Sequence, residues 1–436
     1  MGNRRSTALL TDHYELTMLQ AALHSGTAER RAVFEVFARR LPEGRRYGVV
    51  AGTGRLLRAI ADYRFDAEVI DFLAEHEVVD EATRDRLADW RFTGDVWGYG
   101  EGDCYFPGSP ILVVESTFAE AVVLETLALS VLNHDCAIAS AASRMVRAAG
   151  GRPLIEMGSR RTHEYAAVAA ARAAYIAGFA TTSNLAAGHE YGVPTGGTAA
   201  HSFTLLHDSE RHAFASQLES LGRETTLLVD TFDVERAVRT AVELAGPELG
   251  AVRIDSGDLG AVAAEVRRLL DSLGADKTRI VVTGDLDEYS IARLAIAPVD
   301  GYGVGTALVT GSGAPTASLV YKIVARADSP AADGARLRPV AKRSVGKPSR
   351  GGRKWAVRHL DDRGHAVAEL VHTSEPSPGP HDRALLRPLI RDGEIVGEEP
   401  LAEIRERHER AMAELPATAF QLSRGEPAVP TLFEET

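Results

Sequence analysis

Seven short apolar runs, each ending in polar or glycine residues, lie between Leu154 and Thr306 and constrain the fold more than any other feature of the chain. The first three are Leu154–Met157, Tyr175–Phe179 and the weaker Thr198–Ala200. They end in Ser159-Arg160-Arg161, Thr182-Ser183-Asn184 and His201-Ser202. A buried strand that closes in polar residues and is followed by a helix is the unit of a parallel α/β sheet or barrel. The full set of strand candidates is PLIEMG, YIAGFAT, TAAHSF, TTLLVDTF, AVRIDSGD, RIVVTGD and DGYGVGT. Helix candidates between them start near His163, Asn184, Asp208, Asp233, Leu259 and Glu288. The strand tips are Arg160, Ser183, His201, Asp230, Asp255, Asp285 and Gly305. A strand, tip and helix recurring every ~20–30 residues predicts an irregular (β/α) barrel with one shared mouth, where ligands bind. The alternative is an open doubly wound sheet, but no GxGxxG opens the first unit, which weighs against a dinucleotide-binding domain. Taken one at a time, each polar cluster reads equally well as a helix cap.

At 436 residues the chain exceeds one ordinary core, so two or three structural units are expected. A net charge of -12 argues against a general nucleic-acid or anionic-membrane binder, while leaving room for a local basic pocket. Cys104 and Cys136 form no CxxC pair and no disulfide framework, which fits a reducing cytoplasm and no structural zinc. No apolar h-region follows the N-terminus and no run reaches ~18 apolar residues, so neither a signal peptide nor a membrane span is expected.

Before the repeating units, residues 1–115 read as an α+β domain. Thr11-Asp12 leads into a helix closed by Gly26, with Tyr14 in its first turn, where a core aromatic is the competing reading. RAVFEVF (31–37) alternates as a strand. Helices are expected near 66–76 and 80–89, then antiparallel β structure. From Thr117 a run of helix formers extends to Gly150-Gly151 as one long helix or two. The barrel is expected over 116–325. Residues 326–436 read as strands and turns ending in a solvated surface helix near 401–415.

Several clusters carry chemistry. In RIDSGD, Asp255 sits at a tip, Gly257 allows close approach, and Arg253, on the same strand face as Asp255, can neutralise phosphate. Two carboxylates flanking Ser-Gly suit sugar hydroxyls or a metal ion, with Asp258 also reading as a helix cap. VTGDLDEYS repeats the theme with Gly284 and Asp285. In YGVGTAL, Gly303, Gly305 and Thr306 offer backbone N–H groups to a phosphate. Asp230 and His201, at adjacent tips, are expected to pair, the carboxylate fixing the imidazole tautomer. Of only five lysines, Lys342, Lys347 and Lys354 fall within thirteen residues beside Arg343, Arg350 and Arg353, which is either a solvated turn or a phosphate clamp. No GxxxxGK[ST] loop and no HExxH motif is present.

Together these motifs resemble the nicotinate phosphoribosyltransferase family: TDHYELTM, GSRR, the TSN tip, GTAAHSF, LLVDTFD, VRIDSGD, VTGDLDEYS, GYGVGT and the lysine-rich segment occur in order over most of the chain. The resemblance implies a type II phosphoribosyltransferase fold, an irregular α/β barrel plus a domain built from the N-terminal region and the returning C-terminal region. It implies nicotinate mononucleotide and pyrophosphate as products of nicotinate and phosphoribosyl pyrophosphate. It also implies ATP hydrolysis coupled through transient phosphorylation of His201, and a homodimer in which Tyr14 visits the partner's site. On this reading Arg160, Arg161, Arg253, Lys342 and Lys347 face phosphates or the nicotinate carboxylate. Asp255 and Asp285 face the ribose hydroxyls or Mg2+. Ser183 stands where nicotinamide-using relatives carry an aspartate, and its neutrality favours nicotinate. Met157 replaces an aromatic ring-stacker.

Other readings are a nicotinamide or quinolinate phosphoribosyltransferase, a barrel aldolase or metal-dependent hydrolase, and a non-enzymatic scaffold. Ser183 argues against the nicotinamide enzyme, and the His201–Asp230 pair against the quinolinate enzyme. The lack of a strand-tip lysine argues against a Schiff-base aldolase.

Overall fold

The computed structural model describes residues 6–329, 336–342 and 349–434. The chain forms two compact units, one of Met1–Ala137 with Thr316–Thr436 and one of Ile138–Pro315.

The first unit is built from both ends of the chain. Its seven-stranded sheet runs Leu337–Pro339, Leu319–Ala327, Arg31–Ala38, Leu112–Thr117, Asp95–Tyr99, Leu386–Arg391, Glu394–Ile395 in spatial order, and every pairing is antiparallel. The interior strand Arg31–Ala38 is buried at Ala32–Val36 on both faces, and Phe34 stacks on Tyr321 at 4.9 Å. The returning chain therefore supplies a neighbour for the strand that the N-terminal pattern most clearly encodes. This explains why the compact units divide at 137/138 and 315/316, where composition had suggested 115/116 and 325/326. The latter positions fall inside the paired strands Leu112–Thr117 and Leu319–Ala327. The helix-forming run after Thr117 is two helices, Phe118–Val122 and Glu125–Ala149. The C-terminal helix, Leu401–Ala413, is not wholly solvated: Ile404, His408 and Ala411 are buried.

The second unit holds six parallel strands: β1 (Leu154–Glu156), β2 (Thr181–Thr182), β3 (Thr226–Leu228), β4 (Ala251–Ile254), β5 (Arg279–Val282) and β6 (Gly301–Val304). Their order is β2-β1-β6-β5-β4-β3. Because every ladder is parallel, all six carboxyl ends emerge on one edge. Two sequence expectations fail here. TAAHSF is not a strand: residues 196–200 are irregular and His201 begins a short helix, His201–Leu206. Gly196-Gly197 gives that segment little to bury, and only Thr195 makes a lone bridge to Thr182. The apolar run Tyr175–Phe179 is the end of helix Glu164–Ile176 and a turn at Gly178, so β2 shrinks to two residues.

The helices begin as their caps direct. His163, Asn184, Ser209, Asp233, Asp258 and Asp287 each accept a backbone N–H of the first turn. The cap reading thus holds for these residues. Ser183, Asp230, Asp255 and Asp285 lie before the caps, between strand end and helix, with no capping duty in these helices.

Candidate active site

The edge of the parallel sheet gathers charge at β4 and β5. Arg253, the third residue of β4, is half-buried and donates from Nη1 to Thr198 Oγ1 at 2.6 Å. Burial, with the Arg160 guanidinium nearby, disfavours its charge; Asp255 and Asp230 pull the other way. Two cations and two carboxylates therefore act on one another at this edge.

Asp255 is held from two sides. Its Oδ1 accepts the Thr283 hydroxyl from the end of β5, and its N–H donates to Asp230 Oδ2 at 2.8 Å. The same Asp230 oxygen accepts the Ser256 hydroxyl at 2.6 Å, while Asp230 Oδ1 is buried without a hydrogen-bond partner. Beside it, Gly284 has φ +107°, and a Cβ there would stand 2.6 Å from the Asp255 carbonyl oxygen. Asp285, also at positive φ, is exposed just beyond.

His201 does not pair with Asp230 as expected. Because its ring projects from a helix start and not from a strand tip, Nδ1 meets Thr231 Oγ1 at 3.2 Å and Nε2 lies 3.8 Å from Asp255 Oδ2. The imidazole is oriented by a hydroxyl and faces the carboxylate of β4.

The ends of β1 and β2 form a second group. Arg160 and Arg161 are exposed in the turn after β1, and Ser183, exposed after β2, donates its N–H to Glu156 O at 2.8 Å. Gly303 is explained by packing: a Cβ would fall 2.5 Å from Thr283 Cγ2 and 2.8 Å from Met157 Sδ. Gly305 and Thr306 lead into the short helix Thr306–Val309.

In the first unit, Tyr14 is 44% exposed and so is not a core aromatic; burial of its hydroxyl and then Glu125, Glu15 and Asp12 push the phenol up to about 12. The cationic segment is largely committed. Lys354 is buried against Glu35 at 2.7 Å, Arg353 pairs with Glu115 at 2.9 Å and lies over Trp355, and Arg350 lies over Phe433. Lys342 is exposed, with its N–H on Ser349 Oγ at 2.9 Å. Lys347 and Arg343 lie outside the described residues. Lys354 is therefore no free member of a phosphate clamp.

Sequence reasoning overlooked the hydroxyls that orient this edge, Thr198, Thr231, Ser256 and Thr283, and the buried Glu156. For Glu156, Ser256 and Thr283 the signal was position, a polar residue within two of a strand end; Thr198 and Thr231 lie farther from any strand and carried none. Among the described residues no group of three or more His, Cys, Asp or Glu could hold a metal, and no helix is long and apolar enough to cross a membrane.

A parallel half-barrel sheet that presents guanidinium groups, carboxylates and an oriented imidazole at its carboxyl edge is the arrangement of a phosphate-handling α/β enzyme. Residues 9–133 match the family described as the nicotinate phosphoribosyltransferase (NAPRTase) N-terminal domain. The chain is 59% identical over 440 residues to nicotinate phosphoribosyltransferase pncB1 of Mycobacterium tuberculosis (strain CDC 1551 / Oshkosh), covering 98% of this chain and 96% of that one. It is 34% identical to the nicotinate phosphoribosyltransferase of Bacillus subtilis (strain 168), covering 73% and 67%. Its fold is similar to that of the human nicotinic acid phosphoribosyltransferase crystal structure, with TM-score 0.81, 27% identity and 98% of each chain covered. The chain belongs to the nicotinate phosphoribosyltransferase family.

Proposed function

We propose that the chain forms nicotinate mononucleotide and pyrophosphate from nicotinate and phosphoribosyl pyrophosphate, a step of NAD biosynthesis, coupled to ATP hydrolysis through phosphorylation of His201. The observation that carries this reading is the convergence of Arg253, Asp255 and His201 at one strand edge. In the transfer, the ribose C1–oxygen bond breaks, pyrophosphate leaves with the electron pair, and the pyridine nitrogen lone pair forms the new bond to C1. Arg253 offsets the leaving group's charge, Arg160 meets the nicotinate carboxylate, and Asp255 and Asp285 receive the ribose hydroxyls, aimed at an oxocarbenium-like state. Mg2+, when bound, shields the pyrophosphate. Asp255 and Asp285 would hold it, which fits a cation that takes one or two carboxylates and completes its shell with substrate phosphates and water.

In the coupled step the ATP γ-phosphoryl group passes to His201, ADP leaves, and water later takes the phosphoryl group as phosphate. With Nδ1 engaged by Thr231 Oγ1, Nε2 is the acceptor. This coupling makes the enzyme ligase-type. Ser183 lets the nicotinate carboxylate approach where a carboxylate would repel it. A homodimer supplies Tyr14, exposed on the first unit, to stack on the pyridine ring. The buried thiols of Cys104 and Cys136 suit a cytoplasmic setting.

The test is mononucleotide formation from phosphoribosyl pyrophosphate, Mg2+ and either nicotinate or nicotinamide, with and without ATP. Product from nicotinate alone is expected, with ATP hydrolysed and stimulation abolished in His201→Ala, whose basal turnover persists. Preference for nicotinamide, or ATP stimulation retained in His201→Ala, overturns the corresponding part of the reading.

A further inference from the structure

Glu156 is a buried carboxylate that the reaction above does not use. It ends β1, is 0% exposed, and pairs with no Lys, Arg or His among the described residues. Burial pushes its carboxyl above the usual range, against two hydrogen bonds that favour the ionised form. An unpaired buried carboxylate is costly, and a fold retains one where its oxygens have a specific task.

Both oxygens are occupied. Oε1 accepts the N–H of Gly158, inside the turn that carries Arg160. Oε2 accepts the hydroxyl of Thr182, the last residue of β2 and the one before Ser183. The same Thr182 oxygen accepts the Asn184 N–H at 3.0 Å. Two more bonds run in parallel: Ser183 N–H to Glu156 O at 2.8 Å, and Asn184 Nδ2 to Ser159 Oγ at 3.0 Å. Gly158 fits this packing tightly, since a Cβ there would lie 2.1 Å from Val309 Cγ1 and 2.9 Å from Glu156 Oε1. The turn after β1 and the turn after β2 are thus fastened through one carboxylate.

We infer that the Glu156–Thr182 bond is a positioning device for base recognition, fixing the Arg160 turn and the Ser183 turn relative to each other so that both meet the pyridine carboxylate. The inference rests on the assignment of those two turns to the base. Neither Glu156 nor Thr182 touches substrate in this scheme. The predicted effect falls on the base and spares the phosphoribosyl half, which is held from β4 and β5.

The discriminating pair is Thr182→Val, which keeps the shape and removes the hydroxyl, and Thr182→Ser, which keeps the hydroxyl. Thr182→Val leaves Glu156 Oε2 and the Asn184 N–H without partners. We expect its KM for nicotinate to rise roughly tenfold, with kcat and the KM for phosphoribosyl pyrophosphate within about twofold of the parent, and its preference for nicotinate over nicotinamide to fall. Thr182→Ser should restore parental values. Arg160→Ala is the control for the underlying assignment. If it raises the nicotinate KM while folded Thr182→Val does not, the positioning role is overturned and the assignment stands. If neither variant moves that KM, both fall. A lower melting temperature in Thr182→Val with every kinetic constant unchanged would reduce the bond to a structural one and also overturn the inference.

Discussion

Gly284 shows how one residue sets the distance between two strand ends. At φ +107° only glycine is unstrained, and a Cβ here would stand 2.6 Å from the Asp255 carbonyl oxygen, so its absence is what lets the chain just after β5 pass close to that carbonyl. Gly284→Ala should push the β5 end away from the Asp255 carbonyl and displace Asp255, whose carboxylate Thr283 holds and whose backbone N–H Asp230 holds. We expect about 10–100-fold loss in kcat/KM, since sub-ångström misplacement of charged groups is expensive in catalysis. A stability loss of about 1–3 kcal/mol should accompany it from backbone strain. Steady-state kinetics and urea unfolding check the two parts separately. At this scale the sequence was informative about the aspartates and arginine, because strand-tip position is readable from apolar runs. It was not informative about partners. The pairing of His201 with Asp230 assumed that TAAHSF was a strand, and two adjacent glycines and an apolar run of three residues do not distinguish a weak strand from a loop leading into a helix. The side chains that orient the site are mostly hydroxyls, which are common everywhere and carry no pattern of their own.

Within a single motif, RIDSGD, the elements separate the roles. Asp255 belongs to the end of β4, while Asp258 caps helix Leu259–Ser272 by accepting the Ala261 N–H at 3.1 Å. Asp258→Ala should therefore cost about 1 kcal/mol of stability, the usual loss of a cap, and leave kcat/KM within about twofold at 25 °C. Asp255→Ala should do the reverse. Thermal melts alongside the turnover assay test this division, and a large activity loss in a stable Asp258→Ala would move that residue into the site. Elements with a strong period and a side-chain cap were legible: Asn184, Asp233 and Leu259 mark helix starts that the structure reproduces to the residue or its neighbour. The two-residue β2 was not legible, because the apolar run that suggested it, Tyr175–Phe179, satisfies a helix end as well as a strand.

On the scale of the whole molecule, the first unit depends on contacts between residues near 100 and residues beyond 350, which no local pattern encodes. Arg383 bonds Asp103 at 2.8 Å and Glu414 at 2.7 Å, and buried Arg358 donates to the Cys104 carbonyl at 2.7 Å. His408, from helix Leu401–Ala413, closes this region by donating from Nδ1 to the Gly102 carbonyl at 2.9 Å. Burial holds His408 down to about 4, with the Gly102 bond and Asp103 opposing and Arg405 assisting. A histidine buried neutral binds its proton better in the unfolded chain. Its contribution to stability is therefore intact above the unfolded value near 6.5 and declines as pH falls from there toward about 4, at up to about 1.4 kcal/mol per pH unit. Glu15, Glu35, Glu156 and Glu369 are all pushed up by burial and act in the opposite sense, gaining stability as they protonate in the fold. The pH profile of the parent protein alone therefore does not isolate the histidine. The difference between parent and His408→Asn does, because asparagine keeps an N–H donor for Gly102 without a titrating ring. The variant should be less stable at pH 8, and its deficit should shrink steadily between pH 6.5 and pH 5 as the parent loses what the variant never had. Urea midpoints at pH 8, 6.5 and 5 measure this. A deficit that stays constant with pH would mean that His408 keeps its proton affinity on folding, and that the helix is held against Gly102 by packing and not by a neutral imidazole.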